Sequence, residues 1–159
     1  MARFAPDAAA LLLRVAAGLI FLPHGWSKVA GEGGAAAFAA DIAANYHLPA
    51  FLGYVAAWSE VVGGVLLILG LLTRLDAVLL AGTMFVATFI VQLPDALYEV
   101  PPGAIKLFVV LRGIELPLAL FAMCLSLALT GGGRFSLDAL LQRFFSKKKA
   151  AAEAAAIEV

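Results

Sequence analysis

The chain has 159 residues, 64% of them hydrophobic and 14% charged, and its 11 basic and 11 acidic side chains balance to a formal net charge of zero. With a mean hydropathy of +1.00, a soluble domain of this size has too little interior to hide its apolar surface. The neutral balance implies no nucleic-acid partner, and a single cysteine, Cys124, provides neither an internal disulfide nor a CxxC redox pair.

Four apolar runs are each long enough for the roughly 20 residues of a spanning helix: Ala8–Lys28, Ala50–Leu72, Leu75–Leu93 and Ala104–Thr130. Because lipid forces backbone hydrogen bonds to close within each segment, the expected fold is all-α, a polytopic membrane four-helix bundle. The first run is read as a retained helix, since Arg14 interrupts what would be the apolar region of a signal peptide. Pro23 removes a backbone donor from it and predicts a kink. In the first loop, Phe38, Ile42 and Tyr46 recur at i, i+4 and i+8. That spacing predicts a short interfacial helix, either a plain connector on top of the bundle or a gate.

The second and third spans join through Thr73-Arg74-Leu75-Asp76, which makes them antiparallel neighbours, and PDALYEVPPG reads as an extended loop. Gly113 and Pro117 fall inside the long fourth span. Ser136 is placed to N-cap a short amphipathic segment, LDALLQRFF. The bundle domain is expected over residues 1–140, followed by a basic, low-complexity tail over 141–159 that is either a frayed helix or disordered. If both termini face the cytoplasm, Arg3, Arg74, Arg134, Arg143 and Lys147 to Lys149 lie inside. Only Lys28 and Lys106 then lie outside, with Asp41, Asp95 and Glu99. This asymmetry fits an N-in, C-in topology.

The chemistry-bearing residues are those buried in the spans. On helix one, Arg14, Gly18, Phe21, Gly25 and Lys28 share a narrow stripe, with His24 at its edge. With Lys28 at the outer interface, Arg14 lies roughly 21 Å below it at about 1.5 Å of rise per residue. On the same scale Glu60 and Glu115 each lie roughly 13 Å deep. A carboxylate at that depth needs a partner, a proton or water. Arg112 can pair with Glu115 at i, i+3 on its own helix, leaving Glu60 to Arg14 from below or His24 from above. Arg14, Glu60, Arg112 and Glu115 are thus the expected network, with His24 and Lys28 at its outer mouth. Either that network fixes which helices are neighbours, or it lines a polar cavity that handles a proton or a head group. With two histidines and one cysteine, no dedicated metal site is expected.

These motifs resemble the DoxX family of small bacterial four-helix membrane proteins. RVAAGLIFLPHGWSK looks like that family's opening arginine-to-lysine motif (Arg14, Gly18, Phe21, His24, Gly25, Lys28). EVVGGVLLILGLLTR carries a glutamate with paired glycines (Glu60, Gly63, Gly64, Gly70, Arg74), and GGGRFSLD closes the match, which covers about residues 8 to 140. The resemblance implies a membrane subunit of a quinone-linked or oxidative-stress redox system. A catalytic role would have to use a bound quinone, ubiquinone or menaquinone, or the cofactor of a partner protein, since the chain has no intrinsic cofactor motif. Quinone-linked disulfide chemistry is excluded, because the essential cysteines are missing. Two other readings stay open: a non-enzymatic anchor or assembly factor for a partner protein, and a small proton-coupled carrier, which four helices would support only in a homo-oligomer.

Overall fold

The computed structural model describes residues 4–98 and 100–157, with side chains over 5–98 and 100–149; Arg3 and Glu99 of the charge argument lie outside the described residues. The described chain is helical, with no strand. Its elements are α1 (Phe4–Ala30), α2 (Gly34–Tyr46), α3 (Ala50–Leu69), α4 (Thr73–Val86), a π-helical segment (Ala87–Gln92), α5 (Leu93–Tyr98), α6 (Lys106–Thr130) and α7 (Leu137–Ile157). Four spans, Ala5–Ala30, Ala50–Leu69, Thr73–Tyr98 and Lys106–Thr130, are long and apolar enough to cross a membrane. Their outer faces carry large apolar side chains such as Leu12, Val62, Leu75 and Leu129, the surface of a protein solvated by lipid rather than water.

Glycines decide which helices touch. A Cβ at Gly18 would lie 2.6 Å from the Gly64 carbonyl oxygen, and one at Gly25 would lie 2.6 Å from the Val61 nitrogen. Backbones can approach this closely only where side chains are absent, so α1 and α3 form an antiparallel pair with two glycine contacts about two turns apart. The stripe predicted on α1 faces inward: Arg14 and Phe21 are fully buried. Around Phe21 the core adds Leu67 from α3, Leu80 and Met84 from α4, and Leu120, Cys124 and Leu127 from α6. Cys124 is a buried packing residue.

Three boundaries differ from the sequence reading. The α3–α4 turn comes earlier than Thr73-Arg74-Leu75-Asp76: Gly70, at φ 70°, ends α3, and Thr73 already begins α4. A left-handed residue at this place closes the helix through Gly70 N–H and Leu71 N–H to Leu66 O. Asp76 is therefore a helical residue, 6% exposed, inside the span rather than in the connection. The third span also continues past Leu93 to Tyr98. Pro94 cannot donate to Ile90, and the backbone widens just before it, with Leu93 N–H bonding Thr88 O in the i→i−5 pattern. Finally, α7 begins at its Ser136 cap, where Ala139 N–H donates to Ser136 Oγ at 3.1 Å, and runs through the tail to Ile157.

The first-loop helix α2 lies on the bundle, with Ala39 and Ile42 buried. Its predicted stripe is in place. The Phe38 ring sits 5.1 Å from Lys28 Nζ, and Tyr46 O–H donates to Asp95 at 2.7 Å. That bond raises the Tyr46 phenol to about 12, the hydrogen bond being the largest cause.

Candidate functional site

The site begins at Gly25. With no side chain there, α3 presses against α1 so that Glu60 Cβ lies 2.8 Å from where a Gly25 Cβ would be. One turn further along α1, Lys28 reaches back and donates to Glu60 Oε1 at 2.5 Å. The pair is asymmetric in burial: Lys28 is 25% exposed and Glu60 only 2%. Glu60 Oε2 is buried and has no hydrogen-bond partner. A carboxylate accepts at both oxygens, and leaving one unpaired in an apolar interior is costly.

Beside this pair lies a cavity of about 90 Å³, lined by Phe21, His24, Lys28 and Glu60, by Met84, Ala87 and Gln92, and by Leu116, Pro117 and Leu120. Every span contributes. The π-helical segment supplies Ala87 and Gln92, in keeping with the habit of such widened turns to sit at functional sites. At about 30 Å³ per water, the space holds roughly three waters or the edge of a small polar group. His24 is exposed, so the cavity reaches the protein's edge through that residue. Lys28 and Glu60 offer a cation and an acceptor oxygen, and Gln92 offers both donor and acceptor.

The other predicted site residues lie elsewhere. Arg14 does not meet Glu60. It is buried at the opposite end of the α1–α3 pair, where Nη2 donates to Phe135 O at 3.0 Å and a Cβ on Gly70 would fall onto its guanidinium. Glu60 takes Lys28 in place of Arg14 or His24, because the Gly25 contact puts Lys28 one turn away on the facing helix. Arg112 and Glu115 are both exposed on α6 and form no ion pair with each other. The expected four-residue network is thus replaced by one Lys–Glu pair, one buried arginine held by backbone with its Nε and Nη1 unpartnered, and two outward-facing charges.

At the Arg14 end, the SLD motif locks the fold. Asp138 accepts from Leu72 N–H at 2.7 Å and from Thr73 N–H at 2.9 Å, capping α4 from another helix, and its own N–H donates to Gly70 O. An open cleft of about 940 Å³ lies there, larger than the Glu60 cavity. Its charged groups each have a partner: the Arg134 guanidinium lies 3.7 Å from Asp7, Arg74 donates to Leu129 O, and Asp138 accepts from backbone. It is the trough left where α7 docks, whereas the smaller cavity is lined by a residue with a buried, unpartnered carboxylate oxygen, Glu60. Asp76, which the sequence reading placed in a turn, is buried with Oδ2 unpartnered. The signal that could have found it was Gly70, whose left-handed preference sets the turn and makes Asp76 helical. Among the described residues no three His, Cys, Asp or Glu side chains come together as metal ligands.

The DoxX family profile matches residues 9–93. That covers more than half of the chain, from before Arg14 to the end of the π-helical segment.

The chain belongs to the DoxX family.

A curated relative, "Putative oxidoreductase CatD" of Bacillus subtilis (strain 168), is 46% identical over 83 residues, covering 52% of this chain and 59% of the relative. The match thus spans about three-fifths of that protein's length. No solved structure matches. As a DoxX-family chain with four apolar spans, the protein is a multi-pass membrane protein.

Proposed function

We propose that this DoxX-family protein is the membrane subunit of a quinone-linked redox system, and that its Lys28–Glu60 cavity receives the quinone head group. The observation that carries the reading is the unpartnered, buried Glu60 Oε2 at a cavity that also presents Lys28 and His24. The two redox forms of a quinone suit these groups in turn. A quinone carbonyl accepts from the Lys28 ammonium or from His24, and a quinol hydroxyl donates to Glu60 Oε2. A volume of about 90 Å³ takes the carbonyl edge of the ring, and the isoprenoid tail stays among the acyl chains outside. The electrons come from the redox centre of a partner protein, because the chain has one cysteine and no CxxC pair. The name of the Bacillus relative, "Putative oxidoreductase CatD", is in keeping with this class.

The proposed setting is a bacterial inner membrane with both termini on the cytoplasmic side. Arg74, Arg134, Arg143 and Lys147 to Lys149 then follow the positive-inside rule, and the cavity opens toward the outer leaflet. The test is titration of the purified protein with a short-chain ubiquinone and a menaquinone analogue, comparing wild type with Glu60→Gln, Lys28→Met and His24→Ala. Saturable binding that Lys28→Met and Glu60→Gln weaken at least tenfold supports the site. Absence of binding in wild type, or equal binding in all variants, refutes it.

A non-enzymatic anchor role draws on a different observation: α7 exposes Leu140, Phe144 and Phe145 beside Arg143 and Lys147. That reading predicts that partner capture follows α7 and that Glu60→Gln leaves it unchanged.

A further inference from the structure

One face of α6 turns its charges away from the protein. Arg112 and Glu115 are exposed, yet Leu116 and Pro117, next along the chain, line the interior cavity. Glu115 is thus at the level of the buried Glu60 site, about 13 Å along the helix from Lys106. No ion pair joins either charge to another residue among those described. At that depth the surrounding medium is acyl chain, which does not solvate a carboxylate.

The same face continues through Ala119, Ala122 and Ser126, of which the two alanines are exposed and the serine half-buried. From Arg112 the steps are three, four, three and four residues, the seam of two helices that cross at a shallow angle. Side chains this small let a second helix come close. The buried stripe of α6 is a different one: Ile114, Pro117, Leu120, Cys124 and Leu127. Among the described residues nothing buries Arg112 or Glu115.

We infer that the seam is covered by a second copy of this chain, α6 packing parallel to α6 about a twofold axis along the membrane normal, with Arg112 of each copy paired to Glu115 of the other. The charge pattern selects the occupant. A twofold contact requires a surface complementary to itself, in which residue i meets j and j meets i. One cation and one anion on a single seam, net neutral and three residues apart, satisfy that condition. Their axial offset is about 4.5 Å, within reach of an arginine side chain. An anionic lipid would satisfy Arg112 but be repelled by Glu115, and a soluble partner has no access at this depth.

The experiment uses the full chain in native membranes. Ala119→Cys should give an oxidative cross-linked dimer, whereas Val62→Cys, on the exposed face of α3, should not; Cys124 is buried and stays silent. Arg112→Glu and Glu115→Arg, each added to Ala119→Cys, should lower the cross-link at least tenfold. Co-expressing the two reversals should restore it as a mixed dimer, because every cross-pair is then again of opposite charge. If neither reversal accumulates alone, the co-expressed pair decides by itself. Mixed dimer supports the interface, and its absence overturns it. Equal cross-linking at positions 119 and 62, or a cross-link indifferent to charge reversal, also overturns it.

Discussion

Removing Lys28 should be far more damaging than removing Lys28 and Glu60 together. Lys28→Met strips the cation from a carboxylate that is 2% exposed, and it leaves both oxygens of Glu60 without a partner. Breaking one side of a buried pair costs about 3–5 kcal/mol. Because Lys28 itself is 25% exposed, water can relieve part of that penalty, so the lower end, about 3 kcal/mol, is expected. Replacing the pair by apolar groups, Lys28→Met with Glu60→Leu, removes two desolvation penalties and one attraction. It should lie within about 1 kcal/mol of wild type, since such exchanges are often neutral or stabilising. The coupling energy in the double-mutant cycle is then about 2 kcal/mol or more, well above the 0.2–1 kcal/mol of exposed pairs. Reversible unfolding in mixed detergent micelles measures it. Single variants that each cost less than about 1 kcal/mol, and that add, would show the pair to be an ordinary surface contact.

Three further outcomes follow from the geometry. Gly25→Ala places a Cβ 2.6 Å from the Val61 nitrogen; α1 and α3 must part by about 0.8 Å to reach ordinary contact. A loss of about 1–3 kcal/mol is expected from overpacking, and Gly25→Ala should weaken quinone binding along with Lys28→Met. Asp138→Ala removes both caps on the start of α4 and should cost about 1–2 kcal/mol in the same unfolding assay, with ligand binding retained. The Tyr46–Asp95 bond predicts an alkaline dependence. A phenol raised in the folded state from 10.0 to about 12 contributes stability that is whole below pH 10 and is lost as pH rises through about 12. Ultraviolet titration should show Tyr46 ionising late, and Asp95→Asn should bring it down toward the ordinary phenol range.

The spans and the inward stripe of α1 were legible because length and 3.6-residue spacing are properties of one helix at a time. The partner of Glu60 was not. Rise per residue gives depth along each helix separately, and on that scale Lys28 marks the interface, well above Glu60. The glycine contact at Gly25 carried the missing information, since close approach fixes which turns of two helices face each other. On α6 the apolar residues run all the way round, so periodicity could not say whether Arg112 and Glu115 face inward. The buried stripe through Ile114 and Pro117 answers only once the neighbouring helices are in place. The π-helical turn had a local cause in Pro94, but proline near the end of an apolar run is equally the mark of a loop.

The reading of the site stands on whether a head group enters between the spans at Glu60. Photolabelling of the membrane-embedded protein with an azido-quinone, followed by peptide mass spectrometry, addresses this directly. Adducts should cluster at the cavity-lining residues Phe21, His24, Gln92 and Leu116, and excess unlabelled quinone and Lys28→Met should both suppress them. Labelling spread evenly over lipid-facing positions such as Leu12, Val62 and Leu129, or unaffected by competition, would contradict the assignment.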